Sequence, residues 1–243
     1  MKLSLLHDAL AASRGGKAAA LATNLKTGQQ SLIEGSDFTG DLPVTDVIGN
    51  AVRRAWARDQ NSDVMTGDGK IFIEIFNPRL RMLIVGAVHI AQPLARMATL
   101  TGYMVTIVDP RSAFGSAERF PDVALSNDWP DEAMEKLKPD RRTAVVTLTH
   151  DPKLDDPALQ VALKSDAFYV GALGSRKTHA RRCERLKEVG LTDTELARIH
   201  GPVGLAIDAI SPAEIAISIM GQVTQVLRAS PEEKAPATSE AAA

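Results

Sequence analysis

Four short runs of apolar, mostly β-branched residues recur beyond residue 80, and stretches with helical periodicity separate them. Strands that are apolar on both faces and alternate with helices are typical of a parallel sheet covered on both sides. The sequence therefore predicts an α/β protein with a doubly wound, Rossmann-like parallel sheet. The predicted strands are residues 82–85, 105–108, 144–148 and 167–170.

The first third of the chain has a different pattern. Apolar residues at helical spacing predict two helices, and alternating or β-branched runs bounded by turn residues predict three strands. Together they indicate a small α+β unit. The helices are expected near residues 2–13 and 45–58, and the strands near 18–24, 29–34 and 70–76.

The two patterns meet near Pro78, where a strand-like run ends in a proline. We therefore expect an α+β domain over residues 1–77 and a Rossmann-like domain over residues 78–228. Residues 229–243 contain nothing large to bury, which predicts a disordered tail.

Polar residues followed by proline mark the expected helix starts. Residues 211–214 read Ser-Pro-Ala-Glu, which is the pattern of a capping box with proline at the first helical position. Asp156 precedes Pro157 in the same way, so we expect Asp155 and Asp156 to cap a helix. For Asp151, capping and a role as a paired acid remain open.

Composition limits the classes of function. The chain has 28 Lys and Arg against 30 Asp and Glu, so no basic field would attract nucleic acid or an anionic membrane. Its single cysteine, Cys183, cannot form an intrachain disulfide and fits a reducing compartment, which predicts a cytoplasmic protein. His7 and Asp8 interrupt the first apolar stretch before it reaches the length of a signal peptide.

A glycine turn follows the first predicted strand of the larger domain. Gly86 ends this strand, and Asp109 closes the next one 23 positions later. This is the layout of a dinucleotide-binding unit, in which a helix start meets a phosphate and an acid meets a ribose hydroxyl. Val88 stands where the fingerprint has its second glycine, so a ligand crevice and a purely structural turn both remain open.

A second glycine-rich turn leads into a basic helix. Cations in the first turn of a helix oppose the macrodipole, unless an anion binds there and offsets them. The cluster therefore predicts an oxyanion site, and solvated side chains on an exposed helix are the alternative. The residues are Gly171, Gly174, Ser175, Arg176, Lys177 and His179.

Two histidines follow predicted strands at the edge where ligands bind in open parallel sheets. His89 follows the first strand, and His150 follows the third, directly before Asp151. Such histidines can hydrogen-bond a ligand or be purely structural. No pair of cysteines or histidines has a metal-binding spacing, so we expect no protein-built metal site.

Beyond residue 82 the sequence resembles the C-terminal domain of the XdhC/CoxI family, the accessory proteins of molybdenum hydroxylases. The stretch 40–46 of the N-terminal part departs from the family, because it has neither the cysteine nor the paired glycines usual there. The matching motifs lie at 86–91, 108–111, 149–155, 169–176, 201–205 and 211–216.

This resemblance implies a chaperone rather than a catalyst. Such a protein binds the molybdenum cofactor (molybdopterin), protects it while a cysteine desulfurase installs its sulfido ligand, and delivers it to a hydroxylase of the xanthine or CO dehydrogenase type. The site residues implied are those of the two glycine turns together with His89, Asp109, His150 and Asp151.

Two other functions remain open at this point. The Gly86 turn and Asp109 also suit an NAD(P)-dependent oxidoreductase, although this rests on analogy of fold. The domain could instead be an interaction module of cofactor maturation that binds no ligand. The apolar segment 215–220 can form a homodimer interface or belong to the core.

Overall fold

The computed structural model describes residues 2–229. Contacts within the chain divide it into two units, one up to Arg79 and one from Leu80 onward. The predicted tail lies outside the described residues, except for Ala229. None of the helices in the described part has the length and apolar character needed to cross a bilayer.

The first unit is an antiparallel sheet of five strands with two helices. The sheet has the order β3-β2-β1-β5-β4. The elements are α1 (Leu3–Arg14), β1 (Ala19–Asn24), β2 (Gln30–Glu34), β3 (Asp37–Gly40), α2 (Asp46–Arg58), β4 (Ser62–Thr66) and β5 (Gly69–Phe76).

Strand β1 is apolar on both faces because a helix covers each side of this sheet. Ala20 and Ala22 pack in the core cluster that α2 completes. Ala19 and Leu21 point to the other face, where they pack with residues of α1. The alternation along β1 thus follows the two-residue period of a strand.

The second unit is a parallel sheet of six strands with helices on both faces. The strands are β6 (Arg81–Val85), β7 (Met104–Val108), β8 (Ala124–Ser126), β9 (Thr143–Thr147), β10 (Tyr169–Ala172) and β11 (Ile199–His200). The helices are α3 (Ala91–Leu100), α4 (Pro130–Leu137), α5 (Pro152–Lys164), α6 (Arg176–Glu188), α7 (Asp193–Leu196) and α8 (Pro212–Arg228).

The strand order β8-β7-β6-β9-β10-β11 confirms the predicted Rossmann-like sheet. Counted along this unit, it is the order 3-2-1-4-5-6 of dinucleotide-binding folds. Met82 and Ile84 of β6 face the cluster that includes α3 and α8. Leu83 and Val85 face the cluster that includes α4, α5 and α6.

Four strands were not predicted, and all of them are sheet edges. The strands β3, β4, β8 and β11 bury only one of their residues, Ile199, so they lack the apolar period that identifies a strand. Their backbone pairing depends on the neighbouring strand.

The prediction of a helix start at Asp156 is wrong. Helix α5 begins five residues earlier, at Asp151-Pro152, and Pro157 lies inside it. The earlier pair also has an acidic cap followed by proline at the first helical position, and it satisfies the helix start completely. The predicted capping box at 211–214 is confirmed at the start of α8.

Candidate functional site

The strand order of the parallel sheet reverses between β6 and β9, where ligands of open α/β sheets usually bind. Gly86 follows β6 with a φ of 106°, in a region that L side chains rarely adopt. A Cβ on Gly86 would lie 2.4 Å from Thr149 Cγ2 in the loop after β9. The glycine therefore lets these two loops touch.

Asp109 is 1% exposed and holds the glycine turn in place. Its Oδ2 accepts hydrogen bonds from the Ala87 N–H at 2.8 Å and from Arg111 Nη2 at 2.8 Å. Its Oδ1 accepts from the Arg111 N–H and Nε at 3.0 and 2.9 Å. Burial alone would raise the pKa of Asp109, but these hydrogen bonds outweigh it and lower the pKa.

The turn after β6 has a further support that the sequence did not indicate. Arg119 Nη1 donates to the Ala87 carbonyl oxygen at 2.9 Å. His89, in contrast, is exposed and does not line the cavity described below. The first glycine turn is thus held in place by side chains that bind both backbone groups of one residue, Ala87.

The loop after β9 is organised by one buried carboxylate. Asp155 Oδ1 accepts from Thr149 Oγ1 at 2.6 Å, and its Oδ2 accepts from the His150 N–H at 3.1 Å. Asp151 caps α5 by accepting from the Lys153 N–H at 2.9 Å. The expectation that Asp155 caps the helix is therefore wrong, because Asp155 lies inside α5 and ties the preceding loop to it.

The second glycine turn leads from β10 into α6. Gly171 is buried, and a Cβ there would lie 2.6 Å from Val203 Cγ2. Gly174 precedes Ser175, whose Oγ caps α6 by accepting from the Thr178 N–H at 3.1 Å. The glycines and the serine thus shape the turn through their backbone and the cap.

A cavity of about 290 Å³ opens between the start of α5 and α6. It includes His150 and Lys177 among the residues predicted from the sequence, but it does not include Arg176. Four cationic and two carboxylate side chains surround it, so its net charge is positive. The lining residues are His150, Pro152, Asp155, Asp156, Lys177, Thr178, Arg181, Arg182 and Arg185.

Arg182 is the most deeply buried cation of this cavity. Its side chain is 2% exposed, and its Nη2 donates to the Leu173 carbonyl oxygen at 2.7 Å. Its Nε and Nη1 are buried and have no hydrogen-bond partner in the described part of the chain. Burial lowers the pKa of Arg182, while the carboxylates of Asp155 and Asp156 act in the opposite direction.

His179 and Cys183 lie one helical turn apart on α6 and do not line the cavity. His179 Nε2 is 3.6 Å from Cys183 Sγ, and its Nδ1 packs against Gly201 without a hydrogen-bond partner. Burial and the charge of Arg182 lower the pKa of His179. Burial also raises the pKa of Cys183, more than Arg182 lowers it, so Cys183 remains a thiol at neutral pH.

Three cavity residues, Arg181, Arg182 and Arg185, were not predicted, although the sequence contains a signal for two of them. Residues four positions apart share one face of a helix, so Lys177, Arg181 and Arg185 form a basic stripe along α6. Among residues 2–229, no cluster of three or more metal-binding side chains is present.

Comparison with known proteins assigns the family. The model of the XdhC Rossmann domain matches residues 82–223, more than half of the chain. The chain belongs to the XdhC family. This confirms the resemblance seen in the sequence, and the matched range covers both glycine turns and the cavity.

Individual relatives are similar over part of their length. The chain is 34% identical over 151 residues to the molybdenum cofactor insertion chaperone PaoD of Escherichia coli, covering 62% of this chain and 41% of PaoD. It is 30% identical over 156 residues to a probable xanthine dehydrogenase component of Bacillus subtilis, covering 64% of this chain and 45% of that protein. The chain thus spans less than half the length of these relatives.

A solved structure is similar over nearly the whole chain. The crystal structure of a xanthine dehydrogenase from Bacillus halodurans matches with a TM-score of 0.71 and 25% sequence identity. The match covers 96% of this chain and 66% of that one. The chain therefore shares the fold of that protein over most of its own length.

Proposed function

We propose that this XdhC-family chain binds the molybdenum cofactor and inserts it into a molybdenum hydroxylase of the xanthine or CO dehydrogenase type. The observation that carries the proposal is the 34% identity to the insertion chaperone PaoD over 151 residues. The cationic cavity at the carboxyl edge of the sheet supports it physically.

The residues of the cavity fit the anionic end of such a cofactor. Molybdopterin carries a phosphate, and phosphate is bound by Arg and Lys side chains through charge-assisted hydrogen bonds. Lys177 and Arg181 are exposed and available for this, and Arg182 has buried nitrogens without acceptors. His150 lines the same cavity and can hydrogen-bond a polar part of the ligand.

The chain would protect its cargo and leave the sulfur chemistry to another protein. Its single cysteine, Cys183, stays protonated because burial raises its pKa. A thiol is a much weaker nucleophile than a thiolate, so Cys183 is poorly suited to take part in sulfur transfer. We therefore expect a cysteine desulfurase to install the sulfido ligand while this chain holds the cofactor.

The oxidoreductase alternative is not favoured. Both carboxylate oxygens of Asp109 already accept two hydrogen bonds each, so no acceptor position remains in place for a ribose hydroxyl. The side chain of Val88, where a glycine would admit the pyrophosphate, packs against the apolar core. The site thus lacks the two recognition elements that NAD(P) requires.

Reconstitution of a cofactor-free hydroxylase tests the proposed function. The chain is purified from a host that makes the cofactor and from a host that cannot, and each sample is mixed with the apoenzyme. We expect activity only from the first sample, with transfer that is faster than from free cofactor at the same concentration. Equal reconstitution by free cofactor with and without the chain would contradict the proposal.

A further inference from the structure

Helix α6 carries a buried guanidinium that folding alone does not explain. Among residues 2–229, two of the three nitrogens of Arg182 find no acceptor, although the side chain is 2% exposed. Leaving buried donors unsatisfied costs stability, and native proteins rarely do so without a functional reason. We propose that the cavity between α5 and α6 is a phosphate-monoester site, with Arg182 as its buried positive charge.

The carboxylate nearest to Arg182 compensates this charge incompletely. Asp155 Oδ2 lies 3.8 Å from Arg182 Nη2, which is beyond hydrogen-bond distance. Asp155 also accepts hydrogen bonds from Thr149 and from the His150 N–H, so its charge is shared with the loop. A positive potential therefore remains at the cavity wall.

The basic stripe on α6 adds two charges, those of Lys177 and Arg181, that no described residue neutralises. Arg185 binds Asp156 through two hydrogen bonds of 2.6 and 3.1 Å, so its charge is neutralised. In the described part of the chain, neither Lys177 nor Arg181 takes part in an ion pair. Both lie on the same cavity as Arg182, where their ammonium and guanidinium groups can bind an incoming dianion.

The first glycine turn is a poorer phosphate site than its position in the fold suggests. In a dinucleotide-binding unit, backbone N–H groups of this turn bind a phosphate. Here the Ala87 N–H donates to Asp109 Oδ2 at 2.8 Å, and the carboxylate adds negative charge at the same place. The phosphate is therefore expected in the cavity between α5 and α6, and not at the glycine turn after β6.

The size of the cavity limits what it can hold. A volume of about 290 Å³ is at the lower end of the range for small-molecule pockets. It suits a phosphate group with its neighbouring atoms and leaves the rest of a larger ligand outside. This inference rests on the proposed function only in naming the cofactor's own phosphate as the ligand in the cell.

Titration calorimetry with inorganic phosphate and with methyl phosphate, at constant ionic strength, tests the site. We expect saturable binding of both to the wild-type chain. The double variant K177M/R181M should bind at least tenfold more weakly, and both substitutions lie on the exposed surface, so the fold is preserved. The variant R182M should lose binding as well, and its folding is checked by circular dichroism.

A matched control removes the same charge elsewhere. Arg96 and Arg141 are exposed and do not line the cavity, so R96M/R141M should bind phosphate like the wild-type chain. The inference is overturned if the wild-type chain does not bind phosphate. It is also overturned if K177M/R181M binds as the wild type does, or if the control loses as much affinity as K177M/R181M.

A competition arm separates this inference from the proposed function. Chain loaded with molybdenum cofactor should no longer bind inorganic phosphate if the cofactor's phosphate occupies the cavity. Two results together would support the site and contradict the proposed function. Phosphate binding would depend on Lys177 and Arg181, and the chain would never carry cofactor. Cofactor binding that leaves phosphate binding unchanged would overturn the inference and leave the proposed function standing.

Discussion

Asp155 Oδ2 on α5 and Arg182 Nη2 on α6 lie 3.8 Å apart, and each side chain is only 2% exposed. Burial raises the pKa of Asp155 and lowers the pKa of Arg182, so burial disfavours the charged form of both groups. A buried pair without direct hydrogen bonds contributes little to stability. Such pairs are more typical of binding sites, where the field of the charge acts on a ligand.

The first prediction concerns the pH dependence of the variant R182M. Without the guanidinium, the pKa of Asp155 rises further above its unfolded value of 3.8. A carboxyl group whose pKa is raised in the folded state stabilises the fold at low pH. This contribution is lost as pH rises through the folded-state pKa. The free energy of unfolding of R182M should therefore fall below that of wild type increasingly from pH 4 to pH 7, by about 3–5 kcal/mol at most. Urea unfolding at several pH values measures this.

A difference between R182M and wild type that stays constant between pH 4 and pH 7 would contradict this interpretation. It would mean that the lost contact is only the hydrogen bond from Arg182 to the Leu173 carbonyl. The variant R141M serves as the control and should follow the wild type throughout, because its ion pair with Asp166 is exposed.

The second prediction concerns Asp109, whose pKa is lowered in the folded state. A lowered pKa contributes stability above the unfolded value of about 3.8, and this contribution is lost as pH falls through the folded pKa. We expect D109N to lower the free energy of unfolding by about 2–3 kcal/mol at pH 7, because charge-assisted hydrogen bonds to Arg111 and Ala87 are weakened. The difference from wild type should shrink below pH 4. If D109N lowered the free energy of unfolding equally at pH 3 and pH 7, this prediction would be wrong.

The third prediction compares two glycines with positive φ. In G86A the new Cβ lies 2.4 Å from Thr149 Cγ2 at a φ of 106°, which adds a clash to the backbone strain. In G102A the φ of 91° is similar, but nothing lies within 4 Å of the new Cβ. We expect a loss of about 1 kcal/mol for G102A and of about 2–4 kcal/mol for G86A in chemical unfolding. Equal losses would show that the contact between the two loops relaxes freely.

The fourth prediction concerns nicotinamide cofactors. Because Asp109 is fully hydrogen-bonded and the Val88 side chain packs against the core, NADH and NADPH should show no saturable binding below millimolar concentration. Fluorescence titration of each cofactor measures this. Binding in the micromolar range that D109N abolishes would reinstate the oxidoreductase alternative.

Much of the fold could be predicted because the central strands carry their own pattern. The strands β6, β7 and β9 are rich in apolar residues on both faces, and the capping box at 211–214 marks the start of α8. The strands β8 and β11 have three and two residues, too few for any period, and they form only because a neighbouring strand offers backbone partners.

The site was less predictable because its chemistry depends on which groups meet. His150 was predicted from the rule that ligands bind at strand ends, and Lys177 from the cations at a helix start; both line the cavity. The side chain of Arg111 donates hydrogen bonds to both carboxylate oxygens of Asp109, and this cannot be read from the sequence alone. Nor can the burial of Arg182, since its neighbours Arg181 and Arg185 are the same residue type and are more exposed.

The measurement that tests the proposed function most directly is the amount of pterin and molybdenum that copurifies with the chain from a cofactor-producing host. The wild-type chain and R96M/R141M should carry equal amounts, and K177M/R181M should carry less than a tenth of them. Equal retention by all three proteins, or none by the wild type, would contradict cofactor binding at this cavity.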